Sequence, residues 1–498
     1  MSYDGIKIRF LVRRGVMSKL DIEALLSRGE GVDIECKKAA DTCPKAIWET
    51  YSAFANTRGG WILLGISEKR SQQGESIFSV SGVANVSKVL AEFWNAINSD
   101  KVSANLLLEE DVEVLEQQGK SVIAIHVPPA DYRDRPVYIN GNPMKGTYRR
   151  SHEGDYHCRE AEIKAMFRDA ADTGNDVGVL EGFTLEDVDR ETLQAYRREF
   201  EYNHPDHVWN RLDDGEFLRN LGAMGKDRKT GKIWLTAAGL LLLGTGVAIR
   251  ERFSNIRMDY LDKANLAPGS RWSHRLTYDG MWENNLYQFV RRIFPWLSEG
   301  VRRPFRMEGM VRQDDTPIHT ALREAVINMV IHADYMMTGV LQVVKEDERI
   351  TFVNPGFLKL PTEKIYEGGH AVARNPVLQN MLRMIGLGEN IGSGFSKILS
   401  AWSQAGWPQP QINENPELGT VELLLKFEVG RKEASMSDSK TDEAILAALK
   451  NGAVKMKDII SVVGLSPSGT AKAVNKLIDE GKIFRNRRGR QVYYSRNW

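Results

Sequence analysis

Two constellations in this 498-residue sequence combine residue types and spacings that can do chemistry. The first lies in HTALREAVINMVIHADY, from His319 to Tyr335. Read as a helix, it turns Leu322, Ala325, Val326 and Met329 toward a core and sets Glu324 and Asn328, four residues apart, on a single face. A carboxylate there can orient or deprotonate water, and an amide oxygen can bind a magnesium ion held by nucleotide phosphates. The second is EGVDIECKK, Glu30 to Lys38, whose alternation predicts a strand with Asp33, Glu35 and Lys37 on one face. Acids and a cation gathered on one strand face are expensive to bury without a partner, which points to a metal or phosphate site. Each pattern also has a plain reading, a solvated helix face and an edge strand with its own ion pairs.

The elements around the first constellation follow it in order. A strand, Arg349 to Val353, runs into the turn Asn354-Pro355-Gly356. Gly368-Gly369-His370 and Ala373-Arg374-Asn375-Pro376 lead to a helix through Met384. Glu389-Asn390-Ile391-Gly392-Ser393-Gly394-Phe395 then opens another helix, with glycines where backbone amides can approach phosphate. A last strand is predicted from Thr420 to Val429. LREAVINMVIHADY, VNPG, ARNP and ENIGSGF, in that order, resemble the divergent branch of the GHKL fold, the ATP-binding fold of histidine kinases and gyrase, as found in bacterial proteins with an N-terminal Schlafen-type domain. The resemblance implies Glu324 as water-activating base, Asn328 as magnesium ligand and Asn354 near the adenine. It implies Gly356 as a residue shaping the pocket, Arg374 and Asn375 as part of the nucleotide-binding set, and Gly392 and Gly394 at the phosphates. The sequence departs from the pattern at one point: Asn-Pro-Gly stands where the family has Asp-x-Gly-x-Gly. An amide still accepts from an adenine amine but lacks the charge that fixes a water network, so ATP binding is expected ahead of fast hydrolysis.

Upstream, Trp48 to Thr57 reads as a helix ended by Arg58-Gly59-Gly60, followed by a buried strand, Trp61 to Ile66, and Ser67-Glu68. A further helix is expected from Val86 to Ile97, a hairpin through Leu106 to Val114 and a strand from Ser121 to Val127. IECKK, SAFANTRGGWILLGISE and RPVYINGNPMKGTYRR closely resemble the Schlafen AlbA-type domain over residues 1–172. In members with ribonuclease activity, two glutamates five residues apart and a later aspartate form a metal-dependent acidic site. The matching positions are Glu30, Glu35 and Glu68, which would hold Mg2+ or Mn2+, with Lys37 offsetting phosphate charge. Glu68 replaces the aspartate, and many relatives are described only as nucleic-acid binders. Lys145, Tyr148, Arg149, Arg150 and His152 gather basic and aromatic groups that can contact phosphate and stack on a base.

The polar loop Asp172 to Gly178 marks the start of a connecting and dimerisation region, residues 173–310, with helices at Leu185 to Tyr202 and Phe217 to Leu221. LTAAGLLLLG, Leu235 to Gly244, reads as a buried helix and recurs in the two-domain relatives just described. Trp272, Tyr278, Trp282, Tyr287, Phe294 and Trp296 form an aromatic stripe that suits either core or interface. The ATP-binding domain spans 311–430, a linker 431–440, and a last domain 441–498. That domain shows helices at Asp442 to Leu449, Met456 to Val463 and Ser468 to Glu480, then a wing from Lys482 to Tyr494. It resembles a winged helix-turn-helix, in which Ser466, Ser468, Thr470, Lys472 and Asn475 would face a groove and Arg485, Arg487, Arg488 and Arg490 would meet phosphate.

A net charge of +1 excludes a global basic field, so nucleic-acid affinity must come from local patches. Cys36, Cys43 and Cys158 form neither a disulfide framework nor a paired metal motif. The N-terminus lacks the apolar run of a signal peptide, and the longest apolar run, Ala237 to Ile249, falls short of the roughly 20 residues of a membrane span. A cytoplasmic protein without a membrane segment is expected. The expected fold class is multidomain α/β and α+β: a Schlafen AlbA-type domain, a helical connector, a GHKL-like α/β sandwich and a winged helix. The resemblances imply an ATP-binding protein acting on nucleic acid. The first expectation is a metal-dependent Schlafen-like endonuclease, RNA or tRNA ahead of DNA, controlled by a slow ATPase domain, dimeric and serving antiphage defence. The alternative is an ATP-responsive DNA-binding transcription regulator without nuclease activity. The two differ at the carboxylates.

Overall fold

The structure, a computed structural model, describes residues 22, 31–70, 76–171, 173–264, 266, 269–299, 306–308, 311–313, 316–388, 394–427, 444–449, 454–463, 466–479, 482–488 and 491–495. They fall into two compact units, Met1–Lys426 and Phe427–Trp498. Glu30 and Gly392 lie outside the described residues, as does Arg490.

The first unit opens with β1 (Ile34–Lys37), α1 (Ile47–Ala55), β2 (Gly60–Leu64), β3 (Ile66–Arg70), β4 (Ser76–Val80), α2 (Val86–Ile97), β5 (Val112–Gln117) and β6 (Lys120–Val127). The sheet order is β1-β2-β6-β5, with β1 parallel to β2 and the other pairs antiparallel. Because strand side chains alternate, Ile62 and Leu64 of β2 pack on one face with Trp48, Phe54 and Phe93. Trp61 and Leu63 pack on the other with Ile34 and Val122. The hairpin sits later than the sequence suggests, between β5 and β6, because Gln118 and Gly119 both adopt the left-handed conformation that a two-residue turn requires.

The AFANTRGG motif is explained by close approach. A Cβ on Gly59 would stand 2.6 Å from Val127 O, and one on Gly60 would stand 2.8 Å from the Phe54 ring. Asn56 donates to Val137 O at 2.7 Å and Tyr148 O at 3.0 Å and accepts from Val137 N at 2.8 Å. It thereby ties α1 to the segment entering α3 (Pro143–Gly146) and the hairpin of β7 (Tyr148–Ser151) and β8 (Gly154–His157). α4 (Glu160–Ala170) follows.

Next come α5 (Arg190–Asn203), α6 (Asp214–Leu221), the hairpin β9 (Met224–Lys226) and β10 (Ile233–Leu235), α7 (Ala237–Leu243) and α8 (Gly246–Arg252). Every residue of α7 is buried, and Gly239 lets Ala223 O approach within 2.1 Å of where a Cβ would stand. β11 (Ile256–Asp262) and β12 (His274–Thr277) precede α9 (Leu286–Ser298) and a short hairpin, β13 (Arg306–Glu308) and β14 (Val311–Gln313). Then come α10 (Pro317–His332), β15 (Gly339–Glu346), β16 (Arg349–Pro355), α11 (Thr362–Glu367), α12 (Pro376–Met384), α13 (Gly394–Gln404), β17 (Gln411–Asn415) and β18 (Thr420–Lys426). They build a six-stranded sheet ordered β12-β11-β15-β16-β18-β17. Two of its strands come from the stretch that the sequence reading places in the connecting region. β11 runs parallel to β15 over seven residue pairs, Ile256 with Gly339 through Asp262 with Lys345. Of the aromatic stripe, Trp282 and Tyr287 are buried, Phe294 and Trp296 are half-buried with Trp296 stacked on Tyr260 at 5.5 Å, and Trp272 and Tyr278 are exposed, so the stripe is divided between core and surface.

In the second unit Ile445, Leu449, Ile459, Val474, Leu477, Ile483 and Tyr494 form one core. It holds together α14 (Met456–Val463), α15 (Pro467–Asp479) and the wing strands β19 (Phe484–Arg488) and β20 (Gln491–Ser495). Among the described residues no helix is long and apolar enough to cross a membrane.

The polar loop, described from 173 to 178, is docked against α12. Asp176 is 1% exposed and accepts from Leu378 N at 2.7 Å in the first turn of α12, while its Oδ1 has no partner. Burial pushes its carboxyl up to about 6. Between the ordinary carboxyl range and that value the native state binds the proton that the unfolded chain has released, so stability falls as pH rises through this window. Asp176→Asn removes the effect: urea denaturation should show the variant gaining on the native protein by roughly 2 to 3 kcal/mol between pH 4 and pH 7.

Candidate nucleotide-binding site and nucleic-acid surfaces

α10 starts where Thr316 accepts from His319 N and Pro317 occupies the first turn. It stops at Ala333, whose backbone is extended. The carbonyls left unpaired at that end are all taken. Tyr335 Oη donates to Val330 O at 2.8 Å, and Asn375 Nδ2 donates to Ile331 O at 3.1 Å and Ala333 O at 2.8 Å. Arg374 Nη1 donates to His332 O. Asn375 is therefore a cap on α10, outside the cavity lining, and its assignment to nucleotide contact is corrected by this buried commitment. Arg374 lines the cavity, but its guanidinium is occupied: Nε and Nη2 each lie 2.8 Å from an Asp169 oxygen, and Nη2 also reaches Phe357 O at 2.7 Å.

Glu324 is buried and Asn328 half-buried, and both line a cavity of about 1320 Å³ counted out to its solvent opening. α13 begins against the same two side chains: a Cβ on Gly394 would stand 2.7 Å from Glu324 Oε2 and 3.5 Å from the Asn328 amide. The floor is the sheet. Phe352 and Asn354 of β16 project into it with Ile412 of β17 and Val421 and Leu423 of β18. Asn354 pairs in register with Val421, and its Nδ2 makes only a long contact, 3.4 Å, to Pro355 O. Gly356 has a φ of +123°, and a Cβ there would stand 2.7 Å from Arg374 Nη1, so the glycine makes room for that arginine. The rim is formed by Leu358, Lys359 and Leu360, by Gly368, and by His370 to Ala373.

His332 and Lys359 set the electrostatics of the far wall. Burial, with the charges of Arg374 and Lys359 added, pushes His332 down to about 4, so its imidazole is neutral at physiological pH. Burial also holds the Lys359 ammonium below the usual lysine range, with Asp169 opposing the shift. A carboxylate and an amide oxygen on one helix face, above an apolar floor, fit a nucleotide whose phosphates carry a divalent cation. Sequence reasoning missed Phe352, Val421 and Leu423. The signal was the period of two in β16, which turns Ile350, Phe352 and Asn354 to one side.

The acidic constellation of the N-terminal domain does not assemble in the same way. Glu35 is buried, with Arg150 Nη1 2.9 Å from Oε2 and Lys37 on Oε1. Glu68 is exposed on β3. Among the described residues no group of three or more His, Cys, Asp or Glu could hold a metal ion. The donor set at Glu35 thus fits an ion-paired strut better than a cation site.

The basic cluster is corrected likewise. The Arg150 side chain is 1% exposed and donates to Gly31 O at 2.8 Å, Ile34 O at 3.0 Å and Asp155 at 3.0 Å, with Phe54 5.2 Å beneath it. Arg149 pairs with Glu162 at 3.3 Å, and Tyr148 is buried against His157. Of the five, only Lys145 and His152 are exposed. In the second unit Lys472 and Asn475 are exposed on α15 one turn apart, as is Arg485 on β19, while Thr470 is fully buried and leaves the groove set. Arg487 and Arg488 lie on β19. Arg150→Ala should destabilise the N-terminal domain by about 3 kcal/mol by stranding buried Glu35 and Asp155, whereas Lys145→Ala should stay within about 0.5 kcal/mol. Hydrogen exchange across residues 31–160 checks both.

Comparison with known families follows the same order along the chain. A Schlafen AlbA_2 model matches residues 30–160, and a domain of unknown function matches 164–259. A model described as "Putative ATP-dependent DNA helicase recG C-terminal" matches 341–423, and a winged helix-turn-helix DNA-binding model matches 438–483. No curated protein matches the sequence. Among solved structures, the DIP2311 protein from Corynebacterium diphtheriae is 18% identical, covering 96% of this chain and 98% of its own, with a TM-score of 0.38. The N-terminal domain of an ATP-dependent DNA helicase RecG-related protein from Nitrosomonas europaea is 28% identical. That match covers 29% of this chain and 94% of its own, with a TM-score of 0.24. The chain thus carries, in sequence order, a Schlafen AlbA-type domain, a RecG-like ATPase-type domain and a winged helix-turn-helix.

Proposed function

We propose that the protein binds ATP with a divalent cation in the cavity between α10 and the six-stranded sheet, and that nucleotide occupancy alters its hold on nucleic acid. One observation carries this reading: Glu324 and Asn328 line the same cavity, with the N-terminus of α13 pressed against both. Asn328 would hold the cation, Glu324 would orient a water, and Phe352, Val421 and Leu423 would take the base. Bound ATP supplies a transferable phosphoryl group. Asn354 in place of an aspartate leaves the base pocket without a fixed charge, which favours sensing the nucleotide over turning it over rapidly.

On the nucleic-acid side, the exposed pair Lys472 and Asn475 supports contact through the winged helix, and exposed Lys145 supports a contribution from the AlbA-type domain. Binding is preferred to cutting because the Glu35 carboxylate is already held by Arg150 and Lys37. The protein is then an ATP-responsive regulator acting on DNA or RNA.

Asn328→Ala should weaken magnesium-dependent ATP binding tenfold or more, about 1.4 kcal/mol, in calorimetry. An unchanged affinity removes that residue from the site. Purified protein incubated with tRNA, single-stranded RNA or DNA and magnesium or manganese, with and without ATP, should bind substrate and leave it intact. Metal-dependent products that disappear in Glu35→Ala would replace the binding reading with an RNA- or DNA-cutting one. Lys472→Ala should weaken binding to all sequences alike and flatten its salt dependence by about one unit of slope.

A further inference from the structure

α4 directly follows the AlbA-type match, which ends at residue 160, and is tied to it by the Arg149–Glu162 pair; the ends of α4 reach segments beside the cavity. Asp169 receives the planar fork of Arg374 through two bonds of 2.8 Å. Its neighbour Arg168 pairs with Asp334 at 2.5 Å, in the turn that follows α10. Arg159, which precedes α4, donates to Glu417 O at 2.6 Å in the turn between β17 and β18. In the AlbA-type domain itself, the Tyr132 ring lies 4.3 Å from Lys359 Nζ, and Lys359 lines the cavity. The remaining donors of Arg374 hold His332 O and Phe357 O, carbonyls of two residues that also line it.

We propose that Arg374 is a positioning residue which couples occupancy of the cavity to the AlbA-type domain, so that nucleotide and nucleic acid change each other's affinity through the Arg374–Asp169 pair. The inference rests on the reading of the cavity as a nucleotide site. A bidentate guanidinium–carboxylate pair has essentially one good geometry, and both partners are buried. When the end of α10 or the 357–360 segment shifts as the cavity closes, Asp169 must follow or be left as an unpaired buried charge, so α4 and the cavity wall move as one element. Coupling through such an element is reciprocal: whatever ATP does to nucleic-acid affinity, nucleic acid does to ATP affinity. Arg168 and Arg159 tie the two ends of α4 to the turn after α10 and to the turn between β17 and β18, which makes the response a movement of the helix and not of one side chain.

The test uses the full chain. Hydrogen exchange on the unaltered protein with magnesium and ATP should slow at residues 160–170 of α4 as well as along α10. Fluorescence anisotropy with a labelled single-stranded RNA and a labelled duplex DNA should show ATP shifting affinity for at least one of them by roughly tenfold. In Asp169→Asn, calorimetry should find ATP affinity within about threefold of the original while that shift falls to none. Unaltered protein that binds ATP without slowed exchange in α4, or an Asp169→Asn variant that keeps the full shift, overturns the coupling and leaves the nucleotide site standing. Unaltered protein that binds no ATP overturns both.

Discussion

The C-terminal end of α10 is the point on which the rest of the RecG-like ATPase-type domain depends. A helix that ends inside a protein leaves carbonyls that water cannot reach, and each must find a donor. Here Tyr335, Asn375 and Arg374 supply those donors, and Arg374 adds a positive charge where the helix dipole is negative. An arginine placed so deep needs a counter-charge, and Asp169 provides it from α4, 205 positions earlier in the chain. Gly356 follows from the same requirement, since a side chain there would occupy the space of the guanidinium. One unsatisfied helix end thus explains the ARNP segment, the glycine of the NPG turn and the docking of α4.

The AlbA-type domain solves a similar problem with Arg150. Its guanidinium bridges backbone carbonyls of the β1 entry to Glu35 and Asp155, so acids and bases that look available in sequence cancel one another inside the fold. Buried pairs of this kind are costly to break but add little net stability compared with apolar packing, and their effect is to fix geometry. Lys145 is presented on the short α3, which leads into the hairpin that Arg150 pins. The chain has no continuous basic field, in keeping with a net charge of +1.

The two sites differ in what their neighbours do to them. At the cavity beneath α10, Glu324 and Asn328 share a face above apolar strands with the start of α13 beside them, and both line an open space. At β1, the neighbouring strands and the β7–β8 hairpin deliver cations directly onto Glu35, so the space is already taken by side chains. A buried glutamate therefore lines an open cavity in one case and is an ion-paired internal strut in the other.

The sequence by itself determined what short-range rules govern. The period-four placement of Glu324 and Asn328, the strand and turn at Asn354-Pro355-Gly356, the glycine pair after α1 and the wing after α15 all follow from local geometry and turn chemistry, and motif order identified the three domain types. Only the tertiary structure decided the roles of Arg374, Asn375 and Arg150, because each is held by partners 42 to 205 positions away that no local pattern encodes. The same holds for β11, recruited beside β15 across intervening helices. Charge type and spacing say what a side chain can do; which groups stand opposite it, and whether water still reaches it, are settled only when distant segments pack.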